Sequence, residues 1–171
     1  MNITKFTQNS QNSVNMSQQY AIEYGNQEIE QEHLLYALLN LDDSLILKLI
    51  EKMEIDKDHF VNRVKTAIEK RVKVSGGNIY VGAKLNEALI TAENQAKAMG
   101  DDYVSVEHLF LAMLAHPNKE IAEIFKEFSK EWADKGKSGK RPESINIELK
   151  ADGKAVEGKS LQRQATVTSD K

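Results

Sequence analysis

Gly100-Asp-Asp-Tyr-Val-Ser-Val-Glu-His-Leu-Phe-Leu-Ala-Met-Leu114 has a second copy upstream, Gly25-Asn-Gln-Glu-Ile-Glu-Gln-Glu-His-Leu-Leu-Tyr-Ala-Leu-Leu39, displaced by 75 positions. The shift carries Gly25 onto Gly100, Glu32 onto Glu107, His33 onto His108, Leu34 onto Leu109, Ala37 onto Ala112 and Leu39 onto Leu114. It also carries Ala21 onto Ala96 and the apolar run Ile46–Ile50 onto Ile121–Phe125. One gap-free offset marks an internal duplication. In each copy a helix closes at a glycine, which takes a left-handed conformation without a Cβ clash. A short polar connection follows, then a helix with leucines at three- and four-residue spacing. Neither half can bury its apolar face alone, so the two are expected to pack as a pseudo-twofold helical domain.

The remaining helices follow from that frame. The first spans about Thr4 to Tyr24, with Phe6, Val14, Ser17, Ala21 and Tyr24 as its inward stripe. Its middle is rich in Asn, Ser and Gln, which are mediocre helix formers. Its counterpart, about Leu85 to Met99, is clearly amphipathic. Helix two covers about Gln31 to Leu41, and helix three about Ser44 to Met53, capped by Asp43 or Ser44. Asp56 caps a fourth helix that turns Phe60, Val61, Val64 and Ile68 inward. Residues 72–82 form a flexible connection. Helices five to seven repeat the first three and end near Phe128, with Ser105 as a cap and Glu107 in the first turn, where the helix dipole favours an acid. The expectation is an all-α fold of two four-helix repeats, about 1–71 and 83–129, the second cut short.

After residue 129 the composition becomes that of a linker. Ile145, Ile147 and Leu149 then alternate with polar residues before an Asp152-Gly153 turn signal, so 130–171 reads as an irregular or hairpin tail.

Composition narrows the function. The chain has 171 residues, a net charge of −3 and no cysteine, so it has neither disulfides nor thiolate metal ligands. The negative charge argues against nucleic acid as a partner. The polar N-terminus and the lack of a long apolar run argue against a signal peptide and a membrane span, making a cytoplasmic location the expectation. His33, His59, His108 and His116 lack metal-ligand spacing. In Gly77–Lys84 a phosphate-binding loop would need Gly-Lys-Ser/Thr, but Ala83 precedes the lysine and Leu85 follows it. No nucleophile arrangement is visible. The reading is a non-catalytic chain without cofactor or metal.

The stretch from Met1 through Leu39, with its repeat at 100–114, resembles the amino-terminal repeat domain of Clp chaperones and unfoldases, of the ClpB and ClpC kinds. The resemblance covers about residues 1–129. It implies two four-helix repeats that sit ahead of ATPase modules and bind unfolded or aggregated protein segments, or Clp adaptor proteins, without doing chemistry. It also implies polar groove positions at Thr7, Asp101 and Glu107. A shallow groove between the halves would use the rim residues of the apolar stripes together with Phe6 and Tyr103. Glu32 and Glu107 correspond to acids that receive arginine-phosphorylated substrates in ClpC-like domains. Here Glu30 and Gln31 replace the small hydroxyl or Gly-Thr pair usual before the first glutamate. For both glutamates, stabilisation of a helix's first turn is the competing account. The segment from Lys130 to Gly153 resembles the opening of a Cna B-type repeat of surface adhesins. That resemblance supports the alternative, a structural, surface-associated or fused protein whose tail is the working part.

Overall fold

The structure, a computed structural model, describes residues 3–134, with side chains placed over 4–129. Of the linker and tail expected at 130–171, residues 130–134 are instead the end of a helix, and 135–171 lies outside the described residues. A turn of 3-10 helix, Ile3–Lys5, leads into α1 (Gln8–Glu23), β1 (Glu28–Ile29), α2 (Gln31–Leu39), α3 (Leu45–Lys52) and α4 (Lys57–Glu69). β2 (Tyr80–Val81), α5 (Ala83–Ala98), α6 (Val106–Ala115) and α7 (Lys119–Asp134) follow. The all-α reading holds. α1 packs along α2, α5 packs along α6, and one apolar core runs through both halves.

The duplication reaches the hydrogen bonds. Asn26 N–H donates to the Ala21 carbonyl (2.8 Å) and Gly25 N–H to Ile22 (3.1 Å), closing α1. Asp101 to Ala96 (2.9 Å) and Gly100 to Lys97 (3.0 Å) repeat the pair at the end of α5. Gly25 and Gly100 have φ of 73° and 75°, a closure that a residue with a Cβ adopts only under strain. Ser44, Asp56 and Ser105 cap α3, α4 and α6 with their side-chain oxygens.

Four features depart from expectation. Helix one starts at Gln8 rather than Thr4, because Phe6 leaves the helical path to form a parallel bridge with Val104. Its buried stripe is Ser10, Ser13, Ser17 and Ala21, while Val14 and Tyr24 are only partly covered. The Ser13 and Ser17 hydroxyls donate to the carbonyls of Ser10 (2.8 Å) and Val14 (2.6 Å), so their burial leaves no donor unpaired. The connection at 72–82 is not free chain: β2 pairs in parallel with β1, Tyr80 opposite Glu28 and Val81 opposite Ile29. Last, α7 continues to Asp134, twice the length of its counterpart α3.

That longer helix meets α4. Phe60 lies 5.6 Å from Phe125 and 5.0 Å from Phe128, ring centre to ring centre, and Phe110 lies 6.0 Å from Phe125. Arg63 adds a bidentate pair with Glu127 (2.8–3.1 Å). The first repeat's fourth helix thus packs on the last helix of the second repeat. Over 119–129, the part of α7 whose side chains are described, no large apolar side chain is exposed.

Candidate functional site

The two parallel pairings are one contact used twice. Shifting the Ile29–Val81 pair by 75 positions gives Val104 and Phe6. Gly82 N–H donates to the Ile29 carbonyl (2.8 Å), as Thr7 N–H does to Val104 (3.0 Å). The lead-in to each half's first helix is therefore held by the other half, creating two pseudo-equivalent ends of the seam. The side chains fill these ends differently.

At the first end, Glu30-Gln31-Glu32 form a buried polar hub. Glu30 caps α2, its Oε1 accepting from Gln31 N–H (3.0 Å). Its Oε2 crosses to α5 and accepts from the N–H groups of Lys84 (3.2 Å) and Leu85 (3.3 Å). One carboxylate thus satisfies donors at two helix N-termini. Burial pushes the Glu30 carboxyl up from its ordinary value, against the lowering effect of the N–H groups of Gln31 and Leu85. Gln31 donates to the Lys84 (3.0 Å) and His116 (2.9 Å) carbonyls and accepts from Asn118 N–H (2.8 Å). Glu32, whose side chain is fully buried, accepts from Arg71 (2.7 Å) and from the Asn118 amide (2.7 Å). Arg71 also binds Glu28 at 2.6 Å.

At the second end, Ser105 stands in place of Glu30 and reaches only its own helix. Thr7 caps α1 instead, its hydroxyl accepting from Ser10 N–H (3.2 Å) and donating to Ser10 Oγ (2.9 Å). An open cleft of about 510 Å³ lies here, walled by Lys5, the last turns of α5 with Glu93, Asn94 and Lys97, and the turn Gly100–Val104. Asp101 and Tyr103 line it, and Tyr103 is 57% exposed. The cleft thus joins an aromatic side chain to charges of both signs.

The histidines of the repeat are structural at both ends. His33 Nδ1 accepts from Glu30 N–H (2.9 Å), so Nε2 carries the proton and donates to Asn26 Oδ1 (2.9 Å). His108 Nδ1 accepts from Ser105 N–H (3.0 Å), and its Nε2–H donates to Asp101 Oδ2 (3.0 Å). Each histidine closes a capping box and ties the helix to the preceding turn. Burial is the main reason the His33 pKa falls to about 4, with the Arg71 charge adding to it and Glu32 opposing it. Protonation would also cost the bond from Glu30 N–H.

Because the folded-state value lies below the unfolded one, the stability contributed by neutral His33 is complete above about pH 6.5 and is lost as pH falls toward 4. By pH 5 the expected loss is about 2 kcal/mol. Urea unfolding at pH 7 and pH 5 measures it, and His33→Gln should flatten the difference by that amount. A pH dependence untouched by the substitution would exonerate His33.

The six site residues expected from the sequence are thus dispersed. Asp101 and Tyr103 share the cleft, with Thr7 one step behind it through the Phe6–Val104 bridge. Phe6 is 2% exposed and belongs to the core rather than a rim. Glu107 is buried in the first turn of α6, and Glu32 sits at the opposite end, holding Arg71. Sequence reasoning missed Lys5, Glu93 and Lys97 in the cleft, and Arg71 and Asn118 in the hub. The one signal for the hub was the departure of Glu30-Gln31 from Ser105-Val106 in the other copy.

Residues 127–171 match the family profile of the Cna protein B-type domain. The chaperone protein ClpB of Nitratidesulfovibrio vulgaris is 36% identical over 135 residues, covering 75% of this chain and 16% of that protein. The chain therefore spans about a sixth of that relative's length. The Hsp104 N-terminal domain from Candida albicans superposes with a TM-score of 0.65 at 23% identity, over 80% of this chain and 94% of that one. The ClpV N-domain solved in complex with a VipB peptide gives 0.57 at 19% identity, over 75% and 82%. Residues 5–128 match the profile of the Clp repeat (R) N-terminal domain, so the chain belongs to that family.

Proposed function

We propose that the domain recognises polypeptide, as an exposed client segment or an adaptor, on behalf of a Clp-type ATP-dependent chaperone, with the cleft at Lys5–Val104 as its contact site. The observation that carries this reading is the exposed Tyr103 beside Asp101, in a cleft walled by Lys5, Glu93 and Lys97. An aromatic face supplies area at low entropic cost, and fixed polar groups orient the guest backbone. The peptide seated on the related ClpV N-domain supports a peptide ligand. Glu32 is a weaker contact candidate, since Arg71 and Asn118 already hold its carboxylate. The mixed charge of the cleft suits guests that are themselves zwitterionic, arginine-phosphorylated segments included. A client that must be handed on fits micromolar binding, about −8 kcal/mol.

An amide chemical-shift titration with an unfolded model polypeptide, plain and arginine-phosphorylated, tests the site. Shifts should appear at Lys5, Lys97 and Asp101–Val104. Tyr103→Ala should weaken binding about tenfold while leaving the urea midpoint unchanged, because Tyr103 is outside the core. No shift at the cleft with either ligand would sink the assignment.

A further inference from the structure

Helix α1 is made of residues that helices accept reluctantly, and its outward face gives them a use. Asn9, Asn12, Asn15 and Gln19 are exposed and follow one another at three- and four-residue intervals, so they fall in one row. With Asn40 and Asp42 of the α2–α3 turn they wall an open groove of about 510 Å³, over partly buried Met16 and Leu41. Among the described residues, no lysine or arginine lines it, and Asp42 is its one acid. The corresponding positions of α5 are Lys84, Glu87, Ile90 and Asn94, with Lys84 bound to Glu87 at 3.1 Å. The amide row is therefore particular to the first repeat. It is also not needed for the helix, since alanine would make a more stable one.

We propose that this row is a second polypeptide site, separate from the Lys5–Val104 cleft, which grips the main chain of an extended segment through its peptide groups. A side-chain carboxamide carries the same donor and acceptor as a peptide bond, so the two pair in both directions. Asn12 uses its Oδ1 to accept from Gln8 (2.9 Å), leaving its N–H groups for a guest. Asn40 donates to the Tyr36 carbonyl (2.8 Å), leaving its Oδ1 as an acceptor. The near-neutral row reads no side-chain charge, which suits a site for segments of varied sequence. From Asn9 to Gln19 the row is about 15 Å long at 1.5 Å per residue, matching four or five residues of extended chain. Met16 and Leu41 below it receive small apolar side chains.

The test uses the labelled full chain and a Gly-Ser peptide of roughly a dozen residues, enough to cover the row. A second peptide has every other amide N-methylated. The plain peptide should shift Asn9, Asn12, Asn15, Gln19 and Asn40, and methylation should abolish the effect. The triple variant Asn9→Ala/Asn12→Ala/Asn15→Ala should bind at least about tenfold more weakly while melting no lower than the parent. Tyr103→Ala should bind this peptide as the parent does, which separates this site from the cleft. Equal binding of the methylated peptide, shifts confined to Lys5, Lys97 and Asp101–Val104, a response to neutral oligosaccharide alone, or no shift at all would each overturn the proposal.

Discussion

Arg71→Ala should lower the unfolding free energy by about 4 kcal/mol at pH 7. The Glu32 side chain is fully buried, and Arg71 is the cation that meets it, at 2.7 Å. Without the guanidinium, among the described residues the carboxylate keeps the Asn118 amide but no neutralising charge. A buried ion left alone costs more than the intact pair contributes, because the desolvation penalty remains when the attraction is gone. Burial works against the Arg71 charge, yet Glu32 and Glu28 hold its pKa above the ordinary value. The site is therefore built around an ion pair. Urea denaturation reads the loss as a lower midpoint. Adding Glu32→Gln to Arg71→Ala should recover at least about half of it, since the buried charge is then removed from both sides. A loss under about 1 kcal/mol, the range of an exposed pair, would show that water reaches Glu32.

Gly82→Thr should cost about 3 kcal/mol, and Glu30→Ser in the same chain should return at least half of that. A Cβ on Gly82 would fall against the Glu30 carboxylate and lie 2.8 Å from its Cγ. Moving Glu30 aside strips accepted N–H groups from the starts of both α2 and α5. The double substitution copies the arrangement already present at the other end, where Ser105 is short and Thr7 caps its own helix. Each half thus solves the same problem in its own way, and a glutamate and a threonine are incompatible at one end. A neutral Gly82→Thr, or strictly additive effects in the double-mutant cycle, would mean that Glu30 relocates freely.

The candidate site was only partly legible for a related reason. Asp101 and Tyr103 stood out because the repeat and its family resemblance both point to the turn after Gly100. Lys5 and Lys97 carry no motif, and Lys5 reaches the cleft through the pairing of Val104 with Phe6. Glu32 was legible as the twin of Glu107, but its partner lies 39 positions away, beyond the stretch that the repeat matches. The same limit applies to Gln31, which bonds residues up to 87 positions distant.

What the sequence by itself determined is local and periodic. The 75-residue offset, the glycine closures at Gly25 and Gly100, the caps at Asp56 and Ser105, the narrowing of the α3 cap to Asp43 or Ser44, and the inward leucines of α2 and α6 all follow from it. They depend on backbone conformation and side-chain spacing within one or two helical turns, which a linear sequence displays directly. Only the tertiary structure decided that Phe6 leaves its helix for Val104, that Tyr80–Val81 joins Glu28–Ile29, that Arg71 reaches Glu32, and that α4 covers α7. Each of those contacts joins groups at least 39 positions apart, where the choice of partner depends on which donors and apolar faces remain unsatisfied once the helices have packed.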